Sequence, residues 1–241
     1  MAIYVDTAVP DEARQALSLG FVTGITTNPK LLSTVKRAPI EVLRELCTIC
    51  AGTVFYQLTA PTLSARREEG EGILRLNQEL EEQDDEAYEQ WERKSMEQEA
   101  FAPPMLGRLG LKIPASTENM ALVSEFSDQG MTVAVTAVFS LAQAYVACEA
   151  RATYLVPYVN RITRLRGDGL AFVSQLARLC EAVDRGTEIL AASIKTPEEA
   201  VETLLAGAHH VSLPLPVILA MGQDPLSEQA VAEFARASAS G

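Results

Sequence analysis

The stretch LGLKIPASTENMALVSEFSDQGMTVAVTAVFSLAQAYVACEA, residues 109–150, indicates the fold class because two strand–helix units follow one another within it. Its strand candidates, LGLKIP (109–114) and MTVAVTA (131–137), are nearly continuous apolar runs rather than alternating ones. Such runs are typical of parallel strands that are covered on both faces. Each run precedes a segment in which apolar residues recur at helical spacing, so the stretch predicts two units of a parallel α/β sheet.

The same alternation extends outward to both ends of the chain. The remaining predicted strands are 2–6, 23–28, 53–59, 153–159, 188–193 and 209–215, and further helices are predicted to begin near residues 10, 39, 62, 169, 196 and 216. Eight such units predict an α/β fold of the (β/α)8 TIM-barrel type, with an extra amphipathic C-terminal helix at about 227–239. The chain has neither a GxGxxG nor a GxxxxGK[ST] motif, so the dinucleotide-binding and P-loop alternatives lack support.

Charge is distributed unevenly along the sequence. The chain has 20 Lys+Arg and 32 Asp+Glu, a net charge of −12, and residues 78–100 alone carry −8 of it. A nucleic-acid partner is therefore not expected, because phosphate backbones demand clustered cations. We predict one barrel domain over 1–241, with an acidic, helical insertion at about 77–105 between the third and fourth strands.

Neither the termini nor the cysteines suggest a membrane or secreted protein. The N-terminus has no apolar segment of the kind that secretory signals carry, and the uncharged stretch 129–148 changes halfway from a strand-like to a helix-like pattern. Cys47 and Cys50 form a CxxC, but they lie among apolar residues at helical spacing. Burial on a helix is the favoured interpretation, and redox or metal chemistry is the alternative. We expect a cytoplasmic protein without a membrane partner.

Polar side chains follow the predicted strands at the end where a barrel enzyme has its active site. They are Asp6, Thr26, Asn28, Gln57, Lys112, Thr136, Tyr158 and Ser193. Lys112 stands out because Leu111 and Ile113 flank it in an apolar strand, where an ammonium is costly unless it is paired or its pKa is lowered. A lysine with a lowered pKa can attack a carbonyl to form a Schiff base. The alternative is a lysine that simply extends its ammonium from the strand end to solvent.

Seven segments also carry a resemblance to a known family. They are YVDT (4–7), GITTNPKLL (24–32), LKIPAS (111–116), TAVFSLAQA (136–144), VPYVNRI (156–162), AASIKTP (191–197) and SLPLPV (212–217). Together they resemble the transaldolase family, and most closely its small members, the fructose-6-phosphate aldolases and the short transaldolases. The resemblance covers nearly the whole chain except about 77–105.

The resemblance implies a set of catalytic residues. Lys112 matches the lysine that forms the Schiff base, and Asp6 matches the carboxylate that binds substrate hydroxyls and takes part in proton transfer. Gln57 and Thr136 match the pair that holds the catalytic water, while Tyr158 places a phenol near the reacting carbons. The chemistry implied uses neither a cofactor nor a metal.

The resemblance also implies how a small sugar or sugar phosphate is bound. Asn28, with Thr26 beside it, matches the amide near the iminium and the C1 and C3 hydroxyls. Arg161 and Ser193 match phosphate ligands. Lys195 stands where many transaldolases have arginine, so it is expected to be a weaker phosphate contact.

The activity itself stays open between two reactions. Transaldolases typically have Glu and Phe where this chain has Gln57 and Tyr158, and the aldolases have Gln and Tyr. This favours an aldolase that cleaves or forms the C3–C4 bond of fructose 6-phosphate, giving dihydroxyacetone and glyceraldehyde 3-phosphate. The alternative is a transaldolase of the pentose phosphate pathway, and a remote alternative is a non-catalytic barrel with an acidic interaction arm. By resemblance, a homo-oligomer is expected, either a pentamer or a decamer.

Overall fold

Eight parallel strands close into a barrel in which each strand pairs with its neighbours in chain order. The computed structural model describes residues 1–95 and 105–239. The strands are β1 (Ala2–Asp6), β2 (Val22–Thr26), β3 (Thr53–Gln57), β4 (Arg108–Pro114), β5 (Thr132–Val138), β6 (Tyr154–Pro157), β7 (Glu188–Ala191) and β8 (His210–Leu213). The predicted (β/α)8 barrel is therefore confirmed, and each predicted strand overlaps an observed one.

Helices follow the strands around the outside of the barrel. They are α1 (Pro10–Leu17), α2 (Pro29–Thr34), α3 (Pro39–Ile49), α4 (Leu63–Ser95), α5 (Met120–Asp128), α6 (Leu141–Glu149), α7 (Val159–Arg166), α8 (Gly169–Val183), α9 (Pro197–Leu205), α10 (Leu215–Ala220) and α11 (Pro225–Ala239). The extra C-terminal helix is present as α11. None of the helices in the described ranges has the length and apolar character needed to cross a membrane.

The strand residues alternate between two buried layers. Side chains that point into the barrel form a small cluster that includes Tyr4, Phe55 and Leu190, whereas the larger cluster lies between the strands and the helices. Interior aromatic rings fit because glycines stand beside them. A Cβ on Gly24 would overlap the Tyr4 ring, and one on Gly110 would lie 2.6 Å from the Phe55 ring. Apolar side chains thus fill most of the barrel interior, and the polar side chains that point inward lie at the C-terminal ends of the strands.

Helix α4 joins the helix predicted from residue 62 to residue 76 to the first part of the acidic stretch, which was also predicted to be helical. It continues to Ser95 through most of the acidic stretch. Asp84 fastens it to the start of β4, because one carboxylate oxygen lies 2.6 Å from the Arg108 guanidinium and the other accepts the Leu106 N–H at 2.8 Å. This contact lies at the N-terminal end of β4, on the face opposite the strand ends that carry the candidate site.

The predicted insertion at about 77–105 falls partly outside the described residues. Positions 77–95 belong to α4, and positions 96–104 lie beyond the part of the chain that the structure describes. The division of the chain into one domain with an insertion therefore stays a prediction.

The cysteines are packing residues. Cys47 and Cys50 are buried, unpaired thiols, and Cys47 lies on the inner face of α3 beside Leu43 and Leu46. Burial raises the pKa of Cys47 to about 12, so its thiol is protonated and unreactive at neutral pH. The interpretation of the CxxC as buried apolar surface is confirmed.

Candidate active site

A cleft of about 590 Å³ opens at the C-terminal ends of the strands. Eight of the ten predicted site residues line it. They are Asp6, Asn28, Gln57, Lys112, Tyr158, Arg161, Ser193 and Lys195. Thr26 and Thr136 are buried beneath them, and each makes a hydrogen bond to a lining side chain. The structure therefore brings all ten residues together at the expected end of the barrel.

Lys112 lies at the floor of this cleft, where β4 brings it between Gln57 on β3 and Ala134 on β5. Its side chain is 4% exposed, and its ammonium donates a hydrogen bond to the Thr27 carbonyl at 3.2 Å. Burial lowers the pKa of Lys112, and the negative charge of Asp6 opposes that shift. Burial has the larger effect, so the neutral amine is more accessible here than in an exposed lysine.

A short chain of hydroxyls holds Asp6 at the end of β1. Thr26 donates to Asp6 Oδ1 at 2.9 Å, and Thr26 Oγ1 lies 2.6 Å from Ser212 Oγ. Asp6 is half-buried, while Thr26 and Ser212 are buried. The single hydroxyl proton of Thr26 is used in its hydrogen bond to Asp6. In the second hydrogen bond, Ser212 is therefore the donor and Thr26 the acceptor. The carboxylate is therefore fixed in a position facing the cleft.

Asn28 and Gln57 present amides to the same space. Asn28 is the N-cap of α2, and its Oδ1 accepts the Leu31 N–H at 3.1 Å. Since the oxygen caps the helix, the NH₂ group is the part of Asn28 that can meet a substrate oxygen. Gln57 ends β3 in register with Lys112, so its amide flanks the amine.

The Tyr158 phenol stands on the opposite side of the cleft, at the start of α7. Its Oη lies 2.9 Å from Thr136 Oγ1, and the Phe139 ring meets the Tyr158 ring edge-on at 5.8 Å. The Arg161 guanidinium lies over the Tyr158 ring, 4.7 Å from its centroid. Because these three groups hold the ring, the phenol occupies a defined position in the cleft lining.

The loop between β7 and α9 is held by hydrogen bonds to the carboxylate of Glu199. Ser193 lines the cleft and adopts a left-handed conformation with φ of 62°. Glu199 accepts the Lys195 N–H at 2.7 Å and the Asn160 side-chain amide at 3.3 Å. Through these hydrogen bonds, Glu199 ties the loop that carries Ser193 and Lys195 to the beginning of α7, which carries Arg161.

Two polar residues of the cleft lining, Ser212 and Lys30, were not among the predicted site residues. Ser212 appears in the segment SLPLPV, but nothing in that segment distinguishes it from an ordinary strand serine. Lys30 follows Asn28 by two positions on α2, a helix of six residues that is too short for a periodic signal. Both residues line the cleft. Among the residues that the structure describes, four side chains of the cleft lining are therefore basic and one, Asp6, is acidic.

A second cavity, of about 490 Å³, lies at the other end of the barrel beside the beginnings of β7 and β8. It is lined by Cys180, Glu188 and His209, among others. Within residues 1–95 and 105–239, no group of three histidine, cysteine or acidic side chains is arranged to hold a metal ion. The predicted residues thus belong to the C-terminal cleft alone.

Comparisons with known proteins place the whole chain in one group. A family model described as Transaldolase/Fructose-6-phosphate aldolase matches residues 3–240. A protein of Halalkalibacterium halodurans named "Probable transaldolase" is 32% identical over 234 residues, 97% of this chain and 97% of that protein. Proteins of the same name from Clostridium botulinum and Geobacillus thermodenitrificans are 30% identical over 97% of this chain, covering 94% and 96% of their own lengths.

Among solved structures, the chain is similar to a cube-shaped, highly porous protein cage designed by fusing symmetric oligomeric domains. The TM-score is 0.55 at 12% identity, and the match covers 99% of this chain and 76% of that one. At this low identity, the likeness supports the barrel fold alone.

Proposed function

The chain belongs to the transaldolase/fructose-6-phosphate aldolase family, an enzyme family, and we propose that it is a Schiff-base aldolase acting on fructose 6-phosphate. The reaction would cleave, or in reverse form, the C3–C4 bond between dihydroxyacetone and glyceraldehyde 3-phosphate. The observation that carries the proposal is the buried Lys112 amine, which shares one cleft with Asp6 and with the Tyr158 phenol that is hydrogen-bonded to Thr136.

The first step would form the iminium. The neutral Lys112 amine adds to the C2 carbonyl of the ketose, and loss of water gives a protonated Schiff base that withdraws electrons from the C3–C4 bond. The Gln57 amide next to Lys112 in the strand register is suited to hold the departing water, since an amide can orient water without taking its proton.

The second step would break the carbon–carbon bond. Ionised Asp6 takes the proton of the C4 hydroxyl, the C4 carbonyl forms, and the C3–C4 electron pair moves into the iminium to give an enamine. Glyceraldehyde 3-phosphate leaves, with its phosphate held by Arg161, Ser193 and Lys195. Asp6 is suited to be the base because, among residues 1–95 and 105–239, it is the only acidic side chain that lines the cleft.

The third step decides between the two activities of the family. In an aldolase, C3 of the enamine takes up a proton, and water hydrolyses the resulting iminium to release dihydroxyacetone and regenerate Lys112. In a transaldolase, the enamine must survive until another aldehyde binds. The Tyr158 phenol, hydrogen-bonded to Thr136, is a proton donor near the reacting carbons, and Gln57 is not a base. Both features support the aldolase.

The transaldolase is the second candidate, and the names of the relatives favour it, since each of the three is called "Probable transaldolase". A transaldolase would use the same Lys112 enamine but would pass the dihydroxyacetone unit to a second sugar phosphate. The non-catalytic alternative has little support, because the ten predicted residues converge on one cleft.

Release of glyceraldehyde 3-phosphate from fructose 6-phosphate, with and without added erythrose 4-phosphate, tests the proposal. We expect release without the acceptor. Release only in its presence would contradict the aldolase and support the transaldolase. Absence of release in both conditions would contradict both activities on this substrate.

We also propose that the protein is a homo-oligomer in the cytoplasm that binds neither nucleic acid nor membranes. Support for the oligomer comes from α11, on which Leu226, Val231 and Phe234 are 76%, 64% and 69% exposed. An apolar helix face of this kind is suited to pack on another subunit. The cytoplasmic location is supported by four unpaired thiols. Sedimentation of the intact protein would test the assembly.

A further inference from the structure

Glu199 is an acidic side chain beside the expected phosphate ligands, and the reaction described above does not use it. One of its carboxylate oxygens accepts the Lys195 N–H at 2.7 Å, and the other accepts the Asn160 side-chain amide at 3.3 Å. Lys195 belongs to the loop after β7, whereas Asn160 is in the first turn of α7, next to Arg161. A single carboxylate therefore joins the two segments that carry the expected phosphate ligands.

The stability of α9 explains an acidic residue at this position, but not the contacts that it makes. Thr196 is the N-cap of α9, and its hydroxyl accepts the Glu199 N–H at 3.1 Å. In a capping box, the glutamate three residues after the cap returns a hydrogen bond to the N–H of the cap residue. Glu199 bonds instead to the N–H one residue earlier, on Lys195, and to a side chain of another helix. These contacts hold the loop to α7 rather than close the end of α9.

The loop that Glu199 holds has an unfavourable backbone conformation. Ser193 has a φ of 62°, in the left-handed region that costs free energy for a residue with a Cβ atom. On one side of Ser193, the Ala192 carbonyl accepts the Val159 N–H at 2.9 Å. On the other side, Glu199 fixes the Lys195 N–H. Ser193 is thus kept in position between two points at which the loop is attached.

Glu199 supports the site without lining the cleft. In the part of the chain that the structure describes, Arg161, Ser193 and Lys195 belong to the cleft lining, and Glu199 does not. Its negative charge would oppose a phosphate, but each oxygen already accepts an N–H, and the first turn of α9 is where the helix dipole favours an anion. The carboxylate is therefore suited to hold the ligands in place, not to be one of them.

We propose that Glu199 is a positioning residue that sets the distance between Arg161 and Ser193, and that it thereby determines the preference for phosphorylated over unphosphorylated substrates. The inference rests on the proposed function, in which Arg161, Ser193 and Lys195 hold the phosphate. Both segments can hold one phosphate only if their spacing matches it, so a loosened loop loses part of the binding. Lys112 is on β4, three strands from β7, so the Schiff base should form as before.

The test uses the direction of synthesis and compares two acceptors for dihydroxyacetone, glyceraldehyde 3-phosphate and glyceraldehyde. The ratio of the two kcat/KM values measures the preference for the phosphate and does not depend on the fraction of folded enzyme. We expect the wild type to prefer the phosphorylated aldehyde. Glu199→Ala should lower the ratio about tenfold, the size of one lost hydrogen bond to a charged group, with an unchanged value for glyceraldehyde.

Two further variants serve as controls. Glu198→Ala removes an exposed acid from the same turn of α9. Within residues 1–95 and 105–239, Glu198 makes no hydrogen bond or ion pair, so we expect an unchanged ratio. Glu199→Gln should keep most of the preference, because its amide can accept the Lys195 N–H and donate to the Asn160 side-chain oxygen once that amide has turned.

Other results would overturn the inference in distinguishable ways. A wild type with no preference for the phosphorylated aldehyde contradicts it, as does a Glu199→Ala variant that loses activity on both aldehydes equally or on neither. An equal fall of the ratio in Glu198→Ala, or a fall in Glu199→Gln as large as in Glu199→Ala, contradicts the role of these hydrogen bonds. In all these cases the proposed function stands, since the wild type still joins dihydroxyacetone to an aldehyde. If the wild type joins it to neither aldehyde, the proposed function fails and this inference fails with it.

Discussion

The hydroxyl oxygens of Ser212 and Thr26 lie 2.6 Å apart, although the two residues are 186 positions apart in the sequence. Both residues are buried. Thr26 in turn donates to Asp6 at 2.9 Å. The first and last strands of the barrel are neighbours, and this pairing lets β8 support a carboxylate on β1. Ser212 is thus a positioning residue that acts through Thr26.

Removing the Ser212 hydroxyl should weaken catalysis through Asp6. In Ser212→Ala, Thr26 loses its donor and stabilises the ionised carboxylate less well. We expect kcat on fructose 6-phosphate to fall about tenfold, the size of one lost hydrogen bond to a charged group, while borohydride still traps dihydroxyacetone on Lys112. Ser212→Thr keeps the hydroxyl and should keep the wild-type kcat. A Ser212→Ala variant that is less stable but has an unchanged kcat would show a merely structural role.

The phenol of Tyr158 should matter for proton transfer but not for Schiff-base formation. Tyr158→Phe removes the donor hydrogen-bonded to Thr136, and general acid–base groups typically contribute about 10²–10⁴-fold. We expect dihydroxyacetone release to fall by at least about 10²-fold, while borohydride still traps dihydroxyacetone on Lys112. The control is Tyr145→Phe, at an exposed tyrosine on α6. Equal losses in the two variants, or a loss of trapping in Tyr158→Phe, would count against this role.

The fold was largely predictable because eight apolar strand segments alternate with helical ones, and this periodicity is a strong signal. The exceptions are local. Helices α2 and α7 have six and eight residues and follow their strands directly, so neither presents a clear period. Helix α4 continues without a break from the predicted helix into the acidic stretch, because Glu, Gln, Ala and Arg favour helix and because Asp84 anchors it to Arg108.

The site residues could be predicted where a polar residue type at the end of a strand is enough to identify them. Lys112 and Asp6 are unusual in their apolar strands, and the family resemblance gave their expected roles. Ser212 and Lys30 were not predictable in the same way. The place of Ser212 in the site depends on the closure of the barrel, which brings it to Thr26, 186 positions away in the sequence. The place of Lys30 depends on the side of the cleft at which the short helix α2 lies.

Lys112 should also make the stability of the protein depend on pH. Burial lowers the pKa of Lys112 in the folded protein, whereas the unfolded chain titrates near the ordinary value of about 10.4. The unfolded state therefore binds the proton more tightly than the folded state, which lowers the free energy of unfolding. This destabilisation has its full size at pH values below the lowered pKa, and it disappears as the pH rises toward the ordinary pKa of lysine. Lys112→Met has no such loss.

We therefore expect Lys112→Met to unfold at a higher temperature than the wild type at pH 6, with an advantage that shrinks as the pH rises. For a domain of this size, each kcal/mol corresponds to about 2–4 °C. Differential scanning calorimetry across the pH range measures the difference. An advantage that is constant or grows with pH would contradict the buried, pKa-lowered lysine.

The acidic end of α4 should stabilise the fold without affecting the chemistry. Asp84 is largely buried, and it bonds both the Arg108 guanidinium and the Leu106 N–H. Asp84→Asn removes the charge from these contacts, and we expect a loss of about 1–3 kcal/mol, measured by denaturant unfolding. Glu82→Gln, at an exposed acid on the same helix, removes the same charge and should change stability by less than about 0.5 kcal/mol. An altered kcat/KM in Asp84→Asn would mean that this face is coupled to the cleft.

The chemistry proposed for the cleft depends on a Schiff base between the Lys112 amine and the ketone of the donor. Reduction with borohydride in the presence of dihydroxyacetone, followed by mass spectrometry of the digested protein, detects that bond. We predict one reduced dihydroxyacetone unit per chain, on the peptide that contains Lys112, and none on Lys112→Met. An adduct on another lysine, or no adduct on the active wild-type protein, would contradict it.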